Sequence, residues 1–186
     1  HMPRFGEGSR DYDAVIIGGA VAGAASAILL KRWMPQARVL IVERAERFNK
    51  KVGEATVEVS AHFFTKVLGL TEELARTQLT KQGLRFWFDG GHDAPLQMMS
   101  ELGPRRLPRM ASFHLDRELF DERLLELAVE AGAELVRPAQ VHEAELGWPV
   151  SHVTFSRSGD AAPRRVSTRW VIDASGRQTF IGRRLG

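Results

Sequence analysis

The stretch Asp13-Ala14-Val15-Ile16-Ile17-Gly18-Gly19-Ala20-Val21-Ala22-Gly23 decides how the rest of the chain is read. Ala14 to Ile17 is an apolar run without alternation that stops at two glycines, as expected of a central parallel strand buried on both faces. Residues 22 to 33, rich in Ala, Ile and Leu, predict a helix that ends at Trp33-Met34-Pro35, because proline disfavours helical geometry in the residue before it. Val39-Leu40-Ile41-Val42 is a second buried run, so the order is strand, helix, strand, with the connection length of a right-handed crossover. Gly18-Gly19-Ala20-Val21-Ala22-Gly23 falls between strand and helix, where backbone N–H groups and the helix dipole can hold a pyrophosphate. Glu43 ends the next strand 20 residues after Gly23, where a carboxylate can accept hydrogen bonds from ribose hydroxyls. Ala20 stands at the middle glycine of the G-x-G-x-x-G pattern and puts a methyl where the phosphates should come closest. The alternative is a tight strand-to-helix turn with Glu43 simply solvated.

Outward from this unit, Val57 to Leu68 predicts a helix with Val59, Phe63 and Val67 on one face and Gly69 after it. Leu84 to Phe88 reads as a strand ending at Asp89-Gly90-Gly91, with Leu96 to Met99 as its partner. Asp116 caps a helix whose stripe is Phe120, Leu124, Leu127, Ala128 and Ala131, with Gly132 at its end. Strands are expected at Glu134 to Arg137, Val141 to Leu146, Val150 to Ser156 and Val166 to Ile172, with a Gly159-Asp160 turn before the last. The 186 residues are 44% hydrophobic and 26% charged, which suits a soluble α/β domain with a sizeable core. A net charge of +3, from 26 basic and 23 acidic residues, gives no case for nucleic acid. The apolar run Val21 to Leu30 is too short and too broken for a membrane span or signal-peptide core, so we expect no membrane partner and a cytoplasmic location. With Cys 0, a disulfide framework, a thiol nucleophile and a cysteine metal site are excluded.

Near the end, Trp170-Val171-Ile172 delivers Asp173-Ala174-Ser175-Gly176, an aspartate at a strand tip followed by small residues that let a cofactor lie against the backbone. Together with the dinucleotide fingerprint, Val52-Gly53-Glu54-Ala55-Thr56 and Leu115-Asp116-Arg117, this resembles the flavoprotein monooxygenase superfamily. Within it, Gly53-Glu54-Ala55-Thr56, Leu68-Gly69-Leu70 and Lys81-Gln82-Gly83-Leu84-Arg85-Phe86 resemble the flavin-dependent halogenases of the tryptophan halogenase type. The resemblance covers residues 13 to 186. It implies a glutathione-reductase-like, Rossmann-like FAD-binding domain: a parallel central sheet, helices on one side and an antiparallel β-meander on the other. It implies FAD as cofactor, held by Gly18, Ala20, Val21, Ala22 and Gly23, by Glu43 and Arg44 after the second strand, and by Asp173 and Gly176. Gly53, Glu54, Ala55 and Thr56 would approach the isoalloxazine, and Arg117 would contact the ribose or diphosphate region. Arg117 could instead pair with Glu118 or Asp121, and Glu54 could be a solvated loop carboxylate.

The resemblance implies for Lys81 the role of a lysine beside the substrate that receives hypohalous acid made with reduced flavin, oxygen and halide. An ammonium can hydrogen-bond the oxidised halogen species, and an amine can carry the halogen as a chloramine. The other reading is a solvated surface lysine between Thr80 and Gln82. His62 and His114 form no metal constellation and read as satisfied structural histidines, and Pro104 to Arg109 reads as a solvated loop. No tryptophan begins the W-x-W-x-I-P motif of the halogenases. His1-Met2 reads as the scar of an expression tag and residues 1–12 as a loose leader, with 13–186 as the FAD-binding domain. The end at Gly186 reads as that of a fragment, expected to be inactive alone and to need a C-terminal portion. The function expected is halogenation of an aromatic or electron-rich small molecule, with reduced flavin supplied by a separate reductase. A hydroxylating monooxygenase that needs no Lys81, or a non-catalytic nucleotide-binding fragment, are the alternatives.

Overall fold

The computed structural model describes residues 10–91, 93–106 and 110–185. They divide into two compact units, one within His1–Lys50 and Glu118–Gly186, the other within Lys51–Arg117. In chain order, strand β1 (Tyr12–Ile17), helix α1 (Val21–Trp33) and strand β2 (Val39–Val42) open the first unit. The second unit holds α2 (Glu58–His62), a π-helical turn (Phe63–Val67), α3 (Thr71–Thr77), β3 (Leu79–Lys81), β4 (Phe86–Phe88), β5 (Ser100–Leu102) and β6 (Ser112–His114). Helix α4 (Arg117–Glu130) leads back to the first unit, which closes with β7 (Glu134–Val136), β8 (Ala139–Glu145), β9 (Ser151–Arg157), β10 (Arg164–Asp173) and the short α5 (Gly182–Leu185). Most of the leader read from the sequence lies outside the described residues, but Tyr12 already belongs to β1, and Asp11 exchanges hydrogen bonds with Ser167.

The first unit is a six-stranded sheet in the order β7-β2-β1-β10-β9-β8. Its β7, β2, β1 and β10 run parallel, while β8, β9 and β10 form an antiparallel meander. β10 belongs to both parts: Arg164 to Thr168 pair with β9, and Thr168 to Asp173 pair with β1. The continuous apolar runs of β1 and β2 are buried at every position, as parallel strands covered on both faces must be. Val15, Ile17, Leu40 and Val42 pack with Val141, Val153, Phe155 and Val166 of the meander. Ile16 and Ile41 face the opposite side, next to Gly23 of α1 and, across Gly19, Leu125 of α4. Helices and meander therefore cover opposite faces of the parallel sheet, as the resemblance implied.

Helix α1 ends where the sequence predicts, and Lys31 in its last turn donates to the carbonyls of Pro35 and Ala37 at 2.6 and 2.8 Å. Helix α4 buries Phe120, Leu124, Leu125 and Ala128 and, completely, Asp121, while Ala131 lies just past its end and is exposed. A clamp holds the loop that follows β2. Arg137 donates to both carboxylate oxygens of Glu122 at 2.6 and 2.8 Å and from Nε to the Ala45 carbonyl at 2.6 Å, and its guanidinium lies 4.5 Å above the Phe48 ring. Glu122 also accepts from the Phe48 N–H at 2.7 Å, and the Arg137 hydrogen bonds hold its carboxyl below the usual carboxylate range despite burial.

In the second unit the expected helix over 57–68 is real but interrupted. Its buried residues are Ala61, Phe64 and Leu68, and Val59 of the expected stripe is 79% exposed. The cause is the π-helical turn, in which the Leu68 N–H reaches back five residues to the Phe63 carbonyl and so shifts the buried face. Strand β4 pairs with β5, not with Leu96 to Met99, because Leu96–Met98 forms a 3₁₀ turn first. Arg85 and Glu101 tie the two hairpin strands together. His62 and His114 are both exposed, which corrects their reading as structural histidines. Pro104, Arg105 and Arg106 are exposed, and the rest of that loop, 107–109, lies outside the described residues.

Candidate functional site

Three parallel strands of the first unit end at one level. Ile17 is in register with Val42 on one side and with Asp173 on the other. The residues that follow tie these ends together: Gly18 N–H donates to the Val42 carbonyl and Ala174 N–H to the Ile17 carbonyl, each at 2.9 Å. Such a confluence of strand carboxyl ends is where open α/β sheets bind ligands. Gly18 has φ +102°, and a β-carbon there would sit 2.5 Å from the Ala174 carbonyl oxygen. A β-carbon on Gly23 would sit 1.8 Å from the Gly18 carbonyl oxygen, so the first turn of α1 lies directly on the glycine turn. Ala20 is the N-cap residue and gives no side-chain hydrogen bond, the first turn of α1 holds no acidic residue, and Ala22 is exposed. The start of α1, with Val21 and Ala22 in its first turn, therefore presents N–H groups and the positive end of the dipole with no acidic side chain or side-chain cap of its own.

Glu43 is not solvated. It is 6% exposed, its Oε2 accepts from the Gly19 N–H at 2.6 Å, and its Oε1 accepts from the Ala45 N–H at 2.7 Å. The carboxylate thus braces the glycine turn and the loop after β2, and each oxygen keeps a second lone pair for an outside donor. Arg44 beside it is exposed.

Asp173 organises the loop that follows β10. Its Oδ1 accepts from the Ser175 N–H and hydroxyl at 3.1 and 2.5 Å, and its Oδ2 accepts from the Ile181 N–H at 2.7 Å. Partial burial pushes its pKa up, but the hydrogen bonds from Ser175, Ile181 and Gly182 outweigh this and hold the carboxyl below its usual range. Gly176 begins a single 3₁₀ turn inside this loop. A group with a lowered native pKa contributes stability above its unfolded pKa and loses it as the pH falls through the lowered value. Amide exchange at Ile181, corrected for intrinsic rates, is therefore expected to stay protected from neutral pH down to about 4 and to speed up only below it. Asp173→Asn should expose that amide at neutral pH, and equal protection in the variant would show that the carboxylate does not hold the loop.

In the second unit, the segment Gly53 to Thr56 runs antiparallel to β6, with Ala55 bridging to His114 and the Leu115 N–H donating to the Glu54 carbonyl at 2.7 Å. Arg117 Nη1 lies 3.4 Å from the carbonyls of Val52 and Gly53. Glu54 accepts from the Gly53 N–H at 2.9 Å, and bonds from its own and the Gly53 N–H, with the nearby Arg117 guanidinium, lower its pKa against the cost of desolvation. Lys81 ends β3, is half-buried, and donates from Nζ to the Thr56 carbonyl at 2.8 Å, so its reading as a solvated surface lysine is corrected. Gly53, Glu54, Ala55, Thr56, Lys81 and Arg117 all lie in this unit, whereas the glycine turn, Glu43, Asp173 and Gly176 lie in the first. The part of Thr56 in holding Lys81 was not visible in the sequence, because the two residues are 25 positions apart. Among the described residues, no group of three or more His, Asp or Glu could hold a metal ion, and no helix is long and apolar enough to cross a membrane.

The 1H-pyrrole-2-carbonyl-(peptidyl-carrier protein) chlorinase of Pseudomonas fluorescens is 29% identical over 191 residues, which cover 95% of this chain and 42% of that protein. The putative FAD-dependent oxidoreductase LodB of Marinomonas mediterranea is 29% identical over 182 residues, covering 94% of this chain and 46% of that protein. The chain thus spans less than half the length of these curated relatives. Halogenase PltM, solved in complex with phloroglucinol and FAD, superposes with a TM-score of 0.76 at 25% identity over 94% of this chain and 36% of its own. The tryptophan halogenase family model matches residues 13–106, a span that contains the glycine turn, Glu43, the Gly53 segment and Lys81, and the chain belongs to that family.

Proposed function

We propose that this chain is the FAD-binding part of a flavin-dependent halogenase that acts on a small aromatic or otherwise electron-rich molecule. The observation that carries the reading is Lys81, which is half-buried and held by the Thr56 carbonyl inside the Gly53 to Thr56 segment's own packing. The residues present fit FAD. The turn from Gly18 to Gly23 has no room for β-carbons at Gly18 and Gly23, and the first turn of α1 carries no acidic residue and no side-chain cap, which suits a diphosphate. Glu43 keeps one lone pair on each oxygen for ribose hydroxyls. Asp173, Gly176 and Arg44 would line the same cofactor, Gly53, Glu54, Ala55 and Thr56 would approach its isoalloxazine, and Arg117 would contact its ribose or diphosphate region.

The chemistry that FAD supplies when bound and reduced is two electrons to dioxygen, which with halide and a proton yields hypohalous acid, water and oxidised FAD. Lys81 would donate from Nζ to the hydroxyl oxygen of hypohalous acid. The halogen then passes to a ring carbon, the ring proton leaves, and the oxygen departs as water. A lysine suits this task because its compact ammonium offers three donors. A separate reductase would supply the reduced flavin. The relation to LodB keeps a second reading in view, an FAD-dependent oxidoreductase that makes no use of Lys81.

Glu43 gives the first test. In the full-length protein, Glu43→Ala is expected to weaken FAD by about 1.5–3 kcal/mol, the range for hydrogen bonds to a charged group. Flavin fluorescence titration measures it, and wild-type affinity in a folded variant would remove Glu43 from the site.

A further inference from the structure

Strand β6 is paired with β3 on one edge and with residues 54–56 on the other. On that second edge Thr56 stands opposite Phe113, a position where antiparallel neighbours exchange two main-chain hydrogen bonds, each N–H to the other's carbonyl. The Thr56 N–H does donate to the Phe113 carbonyl, at 2.9 Å. The Phe113 N–H, however, is received at 2.7 Å by the Thr56 hydroxyl, which itself donates to the Phe113 carbonyl at 2.8 Å. The Thr56 carbonyl is thereby released from the ladder, and it is this oxygen that accepts Lys81 Nζ at 2.8 Å. The arrangement is shielded from water: Thr56 is 6% and Phe113 8% exposed. A second tie fixes the backbone of Lys81, whose carbonyl accepts from the Ser112 hydroxyl at 3.2 Å.

We propose that Thr56 is a positioning residue for Lys81: its hydroxyl takes the place of its own carbonyl in the pairing with Phe113, so that the carbonyl holds the Lys81 ammonium. The physical reason is that a buried N–H must be satisfied. Without the hydroxyl, Phe113 N–H would claim the carbonyl, and Lys81 would lose its acceptor. The same oxygen thus links the segment next to the expected flavin position to the residue expected to handle halogen. The consequence for catalysis rests on the reading of Lys81 under the proposed function; the positioning itself does not.

The test compares Thr56→Val, which keeps the shape and removes the hydroxyl, with Thr56→Ser, which keeps the hydroxyl. Acylation of Lys81 by an N-hydroxysuccinimide acetate at fixed pH is followed by peptide mass spectrometry, with the exposed Lys66 as internal reference. Thr56→Val is expected to speed Lys81 labelling by about tenfold, as for loss of one charge-assisted hydrogen bond, and Thr56→Ser to restore the wild-type rate. Equal labelling in Thr56→Val and wild type, or Thr56→Ser behaving like Thr56→Val, overturns the proposal. Should Thr56→Val not fold, Lys81→Met tests the same bond from its other end: amide exchange over residues 53–57 should rise while that of α1 stays unchanged, and unchanged exchange over 53–57 overturns it. In the full-length enzyme, Thr56→Val should lower halogenated product per flavin oxidised, with rescue by Thr56→Ser. Normal coupling in Thr56→Val sinks the catalytic consequence, whereas halogenation by Lys81→Ala sinks the reading of Lys81 and leaves the labelling result standing.

Discussion

Gly23→Ala is expected to cost the protein about 2 kcal/mol of stability and to reduce FAD affinity by roughly a hundredfold or more. The added β-carbon would lie 1.8 Å from the Gly18 carbonyl oxygen and 2.9 Å from its carbon, so helix and turn must separate by more than an ångström. Neither side can yield cheaply. Behind the helix is the sheet, with Ile16 Cγ2 3.2 Å from the same β-carbon position, and Gly18 is itself packed against the Ala174 backbone. Overpacking of this kind costs about 1–3 kcal/mol and sometimes more, while alanine's better helix propensity returns about 1 kcal/mol. The affinity suffers more than the stability, because a shift of an ångström is ruinous where N–H groups must converge on a phosphate. Gly159→Ala is the control: its φ of +94° is also unfavourable for a side chain, but a β-carbon there meets nothing within 4 Å. It should lose about 1–2 kcal/mol and bind FAD normally. Urea unfolding and flavin titration of the full-length protein separate the two outcomes, and a folded Gly23→Ala protein with wild-type affinity would refute the assignment of the turn as the diphosphate site.

The contrast between these glycines marks what a sequence discloses. The β1-α1-β2 unit was legible because its signals are local: two unbroken apolar runs, a glycine cluster between strand and helix, and a proline after the helix. Helix α4 was legible for the same reason, although its buried face includes Leu125 and Asp121, which a simple apolar stripe does not contain. Legibility failed where the regular periodicity was interrupted. Val59, Phe63 and Val67 satisfy a 3.6-residue repeat, but the π-helical turn inserts a five-residue hydrogen bond at Phe63 and brings Phe64 and Leu68 inward. The β4-β5 hairpin is exposed along both strands, so no buried face was available to fix its register. At the candidate site, residue identity was readable but bonding was not. Glu43 was expected to be waiting for a ribose, yet it also braces Gly19 and Ala45; Asp173 was expected at a cofactor, and it also shapes its own loop. Such double duties depend on which N–H groups the tertiary structure brings within reach, and a single sequence carries no local sign of them.

Lys81→Ala in the full-length enzyme, supplied with reduced FAD, oxygen and halide, is expected to abolish halogenated product while flavin affinity and flavin reoxidation stay within a few-fold of wild type. The separation follows from where the lysine is held. Lys81 is anchored to the Thr56 carbonyl and by Ser112, not to the glycine turn, Glu43 or Asp173, which carry the proposed adenosine and diphosphate contacts. Removing its side chain therefore leaves those contacts whole and deletes the donor that would meet hypohalous acid, together with its tie to the Thr56 carbonyl. The size of the loss reflects a chemical requirement: without a positioned donor the acid escapes to solvent, and ring attack becomes an unguided bimolecular reaction, forfeiting the several kcal/mol that orientation provides. Lys81→Arg should fail as well, because a planar guanidinium keeps the charge but lacks the compact, rotatable donor geometry of an ammonium and cannot readily offer a neutral amine. If Lys81 merely secures Thr56, arginine or methionine would preserve some product in proportion to how well the fold survives. Product formation by Lys81→Ala at the wild-type rate would end the halogenase assignment of this residue, and a wild-type enzyme that gives hydroxylated but no halide-dependent product would favour the hydroxylating monooxygenase.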